Sequence, residues 1–377
     1  MGPVGRLGGI RRGSQVIGLD VDRGALKAVQ LSKSGGSYVL RHVGYHRLPP
    51  GAIIEGEVAD PDLLAAEIKE FWSSHSFAGR SVLLGVANQK IIVRLLNFPR
   101  MEEQDLRSAI GFEAQDHIPM PLEEAVLDYV VLGPQDEGSD LDRILVVAAH
   151  RPMIEGYTTA VRSGGLRPAG MDVKALSLTR STLPDALFDE GATVLLDVGT
   201  ELSNLVIVQG GSPTLTRFIP MGLDDLVRAV SEAADLPEEE AEKQALDPRA
   251  KLGYDVEGAG EGAAENAEEE DADPALVYDV RRGLEGAVQT LAEDVQRSIE
   301  YHHSQPESKE VSEVLVSGEG ALVAGFDGYL GELLGVPTRR GNPVSKLTGN
   351  RSNLSDEQLG AMEPVLAVAF GLAMEDE

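Results

Sequence analysis

Two stretches half a chain apart share one local plan. Asp20-Val21-Asp22-Arg23-Gly24-Ala25-Leu26-Lys27-Ala28-Val29 lies near the start, and Asp197-Val198-Gly199-Thr200-Glu201-Leu202-Ser203-Asn204-Leu205-Val206 opens the second half. Each is an apolar strand ending in Asp, a tight turn of small and polar residues, and a second apolar strand. A repeat at that separation predicts two similar units facing one another. Such a pair has a physical use: turn N–H groups can cradle phosphates, and two Asp residues can hold a hydrated Mg²⁺ between them. Two unrelated hairpins would look the same over ten residues, so a third element matters. Val314-Leu315-Val316-Ser317-Gly318-Glu319-Gly320-Ala321-Leu322 reads as strand, glycine turn and helix start. That order aims backbone amides and the positive end of a helix at a phosphate or nucleoside. A worn dinucleotide fingerprint fits less well, because no βαβ unit with an acidic ribose ligand follows.

The segments between these landmarks alternate between strand and helix, which points to α/β architecture. Gln15–Val21, Ala25–Leu31, Val82–Val86, Ile91–Leu96 and Ile144–Ala149 read as strands in the first half. Asp60-Pro61 opens a helix through Ser74, with Asp as N-cap and Pro at the first helical position. Met101–His117 is amphipathic, with Leu106, Ile110 and Ala114 on one face, and Arg151–Ser163 is helical up to Gly164-Gly165. In the second half Ala192–Val198, Leu205–Gln209 and Val311–Ser317 are strands, while Leu223–Ala234, Val280–His302 and Leu322–Leu334 are helices. His302-His303 is expected to be a solvated pair offsetting the dipole at a helix end, and Trp72 beside Phe71 to be core.

Charge narrows the partners. The 377 residues carry 33 Lys+Arg and 62 Asp+Glu, a net charge of −29 that argues against nucleic acid and against adsorption to anionic lipid. From Asp255 to Pro274 the chain reads DVEGAGEGAAENAEEEDADP, with nine carboxylates and no base. That segment is expected to be a disordered insertion, as is the Arg- and Gly-containing leader 1–14. The absence of cysteine excludes disulfides, thiolate catalysis and Cys-ligated zinc, and fits a reducing, cytoplasmic setting. No stretch nears the ~20 apolar residues of a membrane span.

Hairpin, hairpin and glycine turn, in this order, resemble the phosphate 1, phosphate 2 and adenosine motifs of the actin/Hsp70/sugar-kinase ATPase superfamily. Ile17-Gly18-Leu19-Asp20 with Leu26-Lys27-Ala28-Val29 resembles the opening of the PilM family, the cytoplasmic actin-like proteins of type IV pilus assembly. Phe98-Pro99-Arg100-Met101, Ala109-Ile110-Gly111-Phe112-Glu113-Ala114, His117-Ile118-Pro119-Met120-Pro121-Leu122-Glu123-Glu124 and Asp128-Tyr129 resemble that family's signature. Ser203-Asn204-Leu205, Arg217-Phe218-Ile219-Pro220-Met221-Gly222 and Arg297-Ser298-Ile299-Glu300-Tyr301 match later positions.

The resemblance implies a two-lobed α/β actin-like ATPase fold with an FtsA-like 1C subdomain inserted in lobe 1. Subdomain 1A would take 15–90 and 166–188, 1C 91–165, 2A 189–228 and 310–377, and 2B 229–309 with the acidic insertion 254–274. It implies an ATP-binding scaffold of the pilus inner-membrane assembly complex, at most a slow ATPase. The scaffold would bind the cytoplasmic N-terminal peptide of a PilN-like bitopic membrane protein in a groove by 1C, where Met120-Pro121 would lie. It would thereby sit on the inner face of the membrane without inserting in it. Contact with the assembly motor ATPase and self-association come with the same family. The chain stops at Ala373-Met374-Glu375-Asp376-Glu377 rather than in an FtsA-type amphipathic membrane helix, so a division ATPase is the runner-up.

Carried over by position, Asp20 and Asp197 would face Mg²⁺. Gly24, Ala25 and Lys27 would lie at the first phosphate turn, and Gly199, Thr200, Ser203 and Asn204 at the second. Gly318 and Gly320 would approach the nucleoside, and Arg297 and Ser298 would flank adenine and ribose. Two residues depart from the family: Asp22 stands in the first phosphate turn and Glu319 in the adenosine turn, where glycine is common. Two like charges ~4–5 Å apart at an effective dielectric near 20 repel by roughly 3–4 kcal/mol, about 10²-fold or more in affinity. Either Mg²⁺ and outward rotamers relieve this, or the chain is a nucleotide-free peptide adaptor. A working ATPase or small-molecule kinase is the remaining reading.

Overall fold

The computed structural model describes residues 16–34, 37–135, 138–184, 191–253 and 273–374. The leader 1–14 and residues 254–272 of the acidic stretch, both expected to be disordered, lie outside the described residues. The chain begins with β1 (Ile17–Val21), β2 (Ala25–Ser34), β3 (Ser37–Arg47), the short β4 (Ile53–Ile54) and β5 (Glu57–Val58), α1 (Pro61–Ser74) and β6 (Ser81–Val86). Next come β7 (Ile92–Pro99), α2 (Glu103–His117), β8 (Ala125–Pro134), β9 (Leu141–His150), α3 (Arg151–Ser163), β10 (Arg167–Val173) and α4 (Lys174–Thr182). The second half runs β11 (Ala192–Val198), β12 (Ser203–Gln209), β13 (Ser212–Ile219), α5 (Leu223–Ala234), α6 (Glu238–Ala245) and α7 (Pro274–His303). It ends with β14 (Val311–Ser317), α8 (Phe326–Leu334), β15 (Thr338–Arg340), β16 (Leu347–Asn350) and α9 (Asp356–Ala373).

These elements form a two-lobed α/β fold in which the repeated hairpins have the same surroundings. The first sheet has the order β10-β6-β1-β2-β3-β16 and the second β13-β12-β11-β14-β15. In each, the Asp-bearing strand is central, antiparallel to the next strand of its hairpin and parallel to a later strand on its other side: β6 beside β1, β14 beside β11. Every residue of β1 and of β11 is buried, as continuous apolar runs covered on both faces require.

Helices α4 and α9 lie between the sheets: α9 packs on β1, β2 and α4, and α4 also packs on β11 and β12. α1 and α3 pack on one another beside the first sheet, and α5 and α7 cover the far face of the second. The N-terminus of α1 is capped as expected, with the Asp60 carboxylate accepting from the Asp62 and Leu63 N–H groups. α9 escapes a periodicity reading because Val365–Leu372 is buried on all sides, so no polar face marks its phase. A separate antiparallel sheet, β7-β9-β8, carries α2 on one face through Phe98, Leu106, Ile110, Ile144 and Val146.

Two expectations need correction. Leu322–Leu334 is not one helix: a short 3₁₀ turn spans Glu319–Leu322, and α8 starts only at Phe326, because Gly325 adopts a left-handed backbone (φ 74°) that a continuing helix cannot contain. His302 is not solvated. It is 2% exposed, with ring nitrogens beside the Lys309 carbonyl and Thr214 hydroxyl, and burial lowers its pKa. Trp72 and Phe71 do lie in the core. No helix among the described residues is long and apolar enough to cross a membrane.

Candidate functional site

Strand register places the central charges. Asp20 and Lys27 are cross-strand partners on β1 and β2, so their side chains share a face, and Lys27 Nζ lies 3.3 Å from Asp20 Oδ2. Asp197 and Asn204 are the equivalent partners on β11 and β12, and Asn204 Nδ2 donates to Asp197 Oδ2 at 3.3 Å. The parallel neighbour of Asp197 is Ser317, whose hydroxyl donates to Asp197 Oδ1 at 3.0 Å. The parallel neighbour of Asp20 is Gly85, which leaves room for Lys174 from the start of α4. Lys174 Nζ then reaches Asp20 Oδ1 at 2.7 Å.

The turns meet tip to tip. A Cβ on Gly24 would fall 2.5 Å from Thr200 Oγ1, and one on Gly199 would fall 2.9 Å from Asp22 Oδ2, so a side chain at either position would have to displace the facing turn's side chain. The Asp22 carboxylate accepts the Arg23 N–H at 2.8 Å, and the Thr200 N–H of the other lobe faces it closely enough to favour its anion. Lys27 Nζ lies 3.6 Å and Lys174 Nζ 4.0 Å from Asp22 Oδ2. Just outside, Arg23 forms an ion pair with Asp224, the second residue of α5.

The glycine turn after β14 completes the enclosure. Gly318 has φ 86°, and a Cβ there would fall 2.3 Å from the Val198 carbonyl oxygen. Its N–H donates to the carbonyl of Pro364 within α9 at 2.9 Å, which fastens the turn to the interlobe helix. Gly320 lies against the Val198 side chain. Glu319, 5% exposed, points inward and puts Oε1 2.6 Å from Lys27 Nζ. Its Oε2 has no hydrogen-bond partner among the described residues.

Three carboxylates, Asp20, Asp22 and Glu319, thus share two ammonium groups, and the void between Asp22, Lys174 and Asn204 is about 10 Å³, room for one water at most. Burial opposes charge on both lysines, but Glu319 and Asp20 for Lys27, and Asp20 and Asp22 for Lys174, outweigh it and raise both pKa values. Burial also works against the Asp22 anion, yet Lys174, Lys27 and the Arg23 and Thr200 N–H groups bring it down to about 2. Glu319 goes the other way: burial, only partly offset by Lys27, pushes it up to about 7. Burial raises Asp197 as well.

Of the residues named from sequence, the structure gathers Asp20, Asp22, Gly24, Lys27, Asp197, Gly199, Thr200, Asn204, Gly318, Glu319 and Gly320 around this cluster. Ala25 is buried at the first turn, where its carbonyl accepts the Asp22 N–H, and the Ser203 hydroxyl donates to the Met221 carbonyl. Arg297 and Ser298 are placed elsewhere. Arg297 forms an ion pair with Asp294, and the buried Ser298 accepts from Arg217 of β13, so their partners are not the residues of the cluster. Sequence reading missed Lys174. Its signal is faint: a lysine in the first turn of a helix opposes the helix dipole and calls for a local anion.

The donors suit a polyphosphate in kind, with two lysines, glycine turns and turn N–H groups, but Asp22 and Glu319 already engage them. For a metal, Asp20 is held by lysines and Asp197 by Ser317 and Asn204, and no group of three or more His, Asp or Glu among the described residues is placed to ligate one.

A second concavity, of about 450 Å³, lies between α2 and the three-stranded sheet. Met101, Leu106 and Arg107 line one side and Tyr129, Val130 and Ile144 the other. Asp128 borders it with an unpartnered, buried Oδ2, and burial raises its pKa. Met120 instead packs with Ile118 and Ala148, and Pro121 is exposed.

This architecture is similar to that of known actin-like proteins. A chain of the PilM–PilN type IV pilus biogenesis complex superposes with a TM-score of 0.79 at 27% identity, covering 96% of this chain and 98% of that one. MreB5 of Spiroplasma citri, solved with ADP, matches at TM-score 0.54 and 12% identity over 94% of each chain. Ethanolamine utilization protein EutJ from Carboxydothermus hydrogenoformans matches at TM-score 0.54 and 12% identity, over 98% of this chain and 93% of that one. The model of the cell division protein FtsA matches residues 194–371, and that of the type IV pilus assembly protein PilM matches residues 18–257. With more than half of its length matched in this way, the chain belongs to the PilM family of type IV pilus assembly proteins.

Proposed function

We propose that this chain is an actin-like scaffold of type IV pilus assembly that docks the cytoplasmic N-terminal peptide of a PilN-like membrane protein and carries a nucleotide cleft between its lobes. The observation that carries the reading is the nearly full-length likeness to a chain of the PilM–PilN complex. The groove between α2 and β8 is the docking site we assign, within a 1C-type subdomain spanning roughly 91–165. It offers an apolar floor with polar ends, and β8 lies at the edge of its sheet, free to take an extended peptide. Docking there would hold the protein at the membrane through its partner.

Asp20, Lys27, Asp197 and the three turns are the residues proposed to hold MgATP, whose polyphosphate would bridge the lobes when bound. Turnover would be slow or absent, below about one phosphate released per second. A nucleotide-free adaptor is the second reading, favoured by the engagement of both lysines with Asp22 and Glu319.

Fluorescence anisotropy of the full chain with labelled N-terminal peptides of a candidate bitopic partner tests the docking claim. Saturable binding that Leu106→Ala and Tyr129→Ala weaken supports it, and no binding by the unmutated protein overturns it. Titration with MgATP, repeated with Asp197→Ala, tests the cleft. No detectable binding at millimolar ATP removes the nucleotide from the reading and leaves the adaptor.

A further inference from the structure

Asp22 makes contacts that would suit a bound anion rather than an ordinary turn residue. Its carboxylate accepts the Arg23 N–H of its own hairpin and faces the Thr200 N–H of the other, which helps to hold it as an anion. Both buried ammonium groups lie within 4.0 Å of its Oδ2, and Gly199 approaches so closely that a methyl group there would collide with it. Charge-assisted contacts from two opposed turns are the environment expected for a phosphate bridging two lobes. A carboxylate is smaller than phosphate but offers oxygens of the same charge to the same donors. Glu319 adds a second internal anion on Lys27.

We infer that Asp22 is an intramolecular stand-in for a nucleotide phosphate, latching the two lobes together without ligand and competing with nucleotide for the same donors. The inference rests on the proposed nucleotide cleft and adds its regulation. Closure, which a ligand would otherwise have to supply, is built into the chain through the Asp22–Thr200 link. The Arg23–Asp224 pair on the rim reinforces it.

The test uses the full chain with Asp22→Gly, Asp22→Asn and Glu319→Gly, and combines calorimetric titration of MgATP with amide exchange in the absence of nucleotide. Asp22→Gly should bind MgATP about 10²-fold more tightly than the unmutated protein, since a full negative charge leaves the donors. Asp22→Asn should fall between, because it loses the charge and keeps an acceptor for Thr200. Without ligand, Asp22→Gly should exchange the Thr200 amide faster, with peptide binding retained as a control on folding. Equal MgATP affinity in unmutated and Asp22→Gly proteins overturns the inference. If neither binds MgATP, the nucleotide cleft is wrong, and the exchange result alone decides the latch: faster exchange at Thr200 supports it and unchanged exchange overturns it.

Discussion

The two hairpins share a topology and differ in how each satisfies its aspartate. On the first, Asp20 faces two lysines, and a glycine on the neighbouring strand makes space for the second of them. On the second, Asp197 is held by the neutral side chains Asn204 and Ser317. The turns differ in a complementary way: the first contributes an anion, Asp22, and the second contributes an N–H, from Thr200. A repeat that had stayed symmetric would have two turns offering donors to a third party. This one has a turn that offers and a turn that accepts, so the lobes can close on each other.

Matched substitutions can break that contrast. The largest effect is expected from Lys27→Met, which leaves Asp20 and Asp22 with Lys174 alone and takes from Glu319 its ion pair. Removing one partner of a buried ionic cluster typically costs about 3–5 kcal/mol, read as a lower midpoint in urea unfolding. Lys27→Met combined with Glu319→Gln should recover much of that loss, and purely additive changes would show that the two residues do not interact.

Next comes pH. Glu319 is raised from 4.5 to about 7 by burial, with Lys27, Asp22 and Asp197 around it, so the folded protein holds a proton there that the unfolded chain releases. Its contribution to stability is complete below 4.5 and is lost as pH rises through about 7, on the order of 3 kcal/mol. Asp22 has the opposite sign: its contribution is present above 3.8 and lost as pH falls through about 2. Unfolding midpoints followed from pH 4.5 to 8 should therefore decline in the unmutated protein more than in Glu319→Gln. Parallel curves would remove Glu319 from the account.

Smaller changes are expected outside the charged cluster. Tyr129→Ala in the groove should weaken peptide binding about tenfold, the usual scale for a buried aromatic at an interface. Asn204→Ala, at the position matching Lys27, removes a neutral hydrogen bond to a buried acid and should cost about 1–2 kcal/mol. A cost equal to that of Lys27→Met would erase the distinction between the hairpins.

Much of this frame was legible in the sequence because it rests on local rules. An Asp-Pro N-cap placed α1, glycines ended α3, and strands rich in Val and Leu marked β11 and β14 to the residue. The three turns were legible as a repeated pattern. What stayed hidden depended on distant parts of the chain. Lys174 reaches Asp20 only because β10 lies beside β6 and Gly85 leaves a gap. α9 carries no period because two sheets cover it. Arg297 and Ser298 matched family positions, yet the packing of α7 on the second sheet gives them other partners. Asp22 and Glu319 were legible as added charges, but not as side chains that partner the donors themselves.

The Thr200 amide tests the central claim most directly. In nucleotide-free protein its exchange should be slow, and Asp22→Gly should accelerate it while the core amides of β11 remain protected. Equal exchange at Thr200 in the two proteins would contradict an Asp22 latch between the lobes.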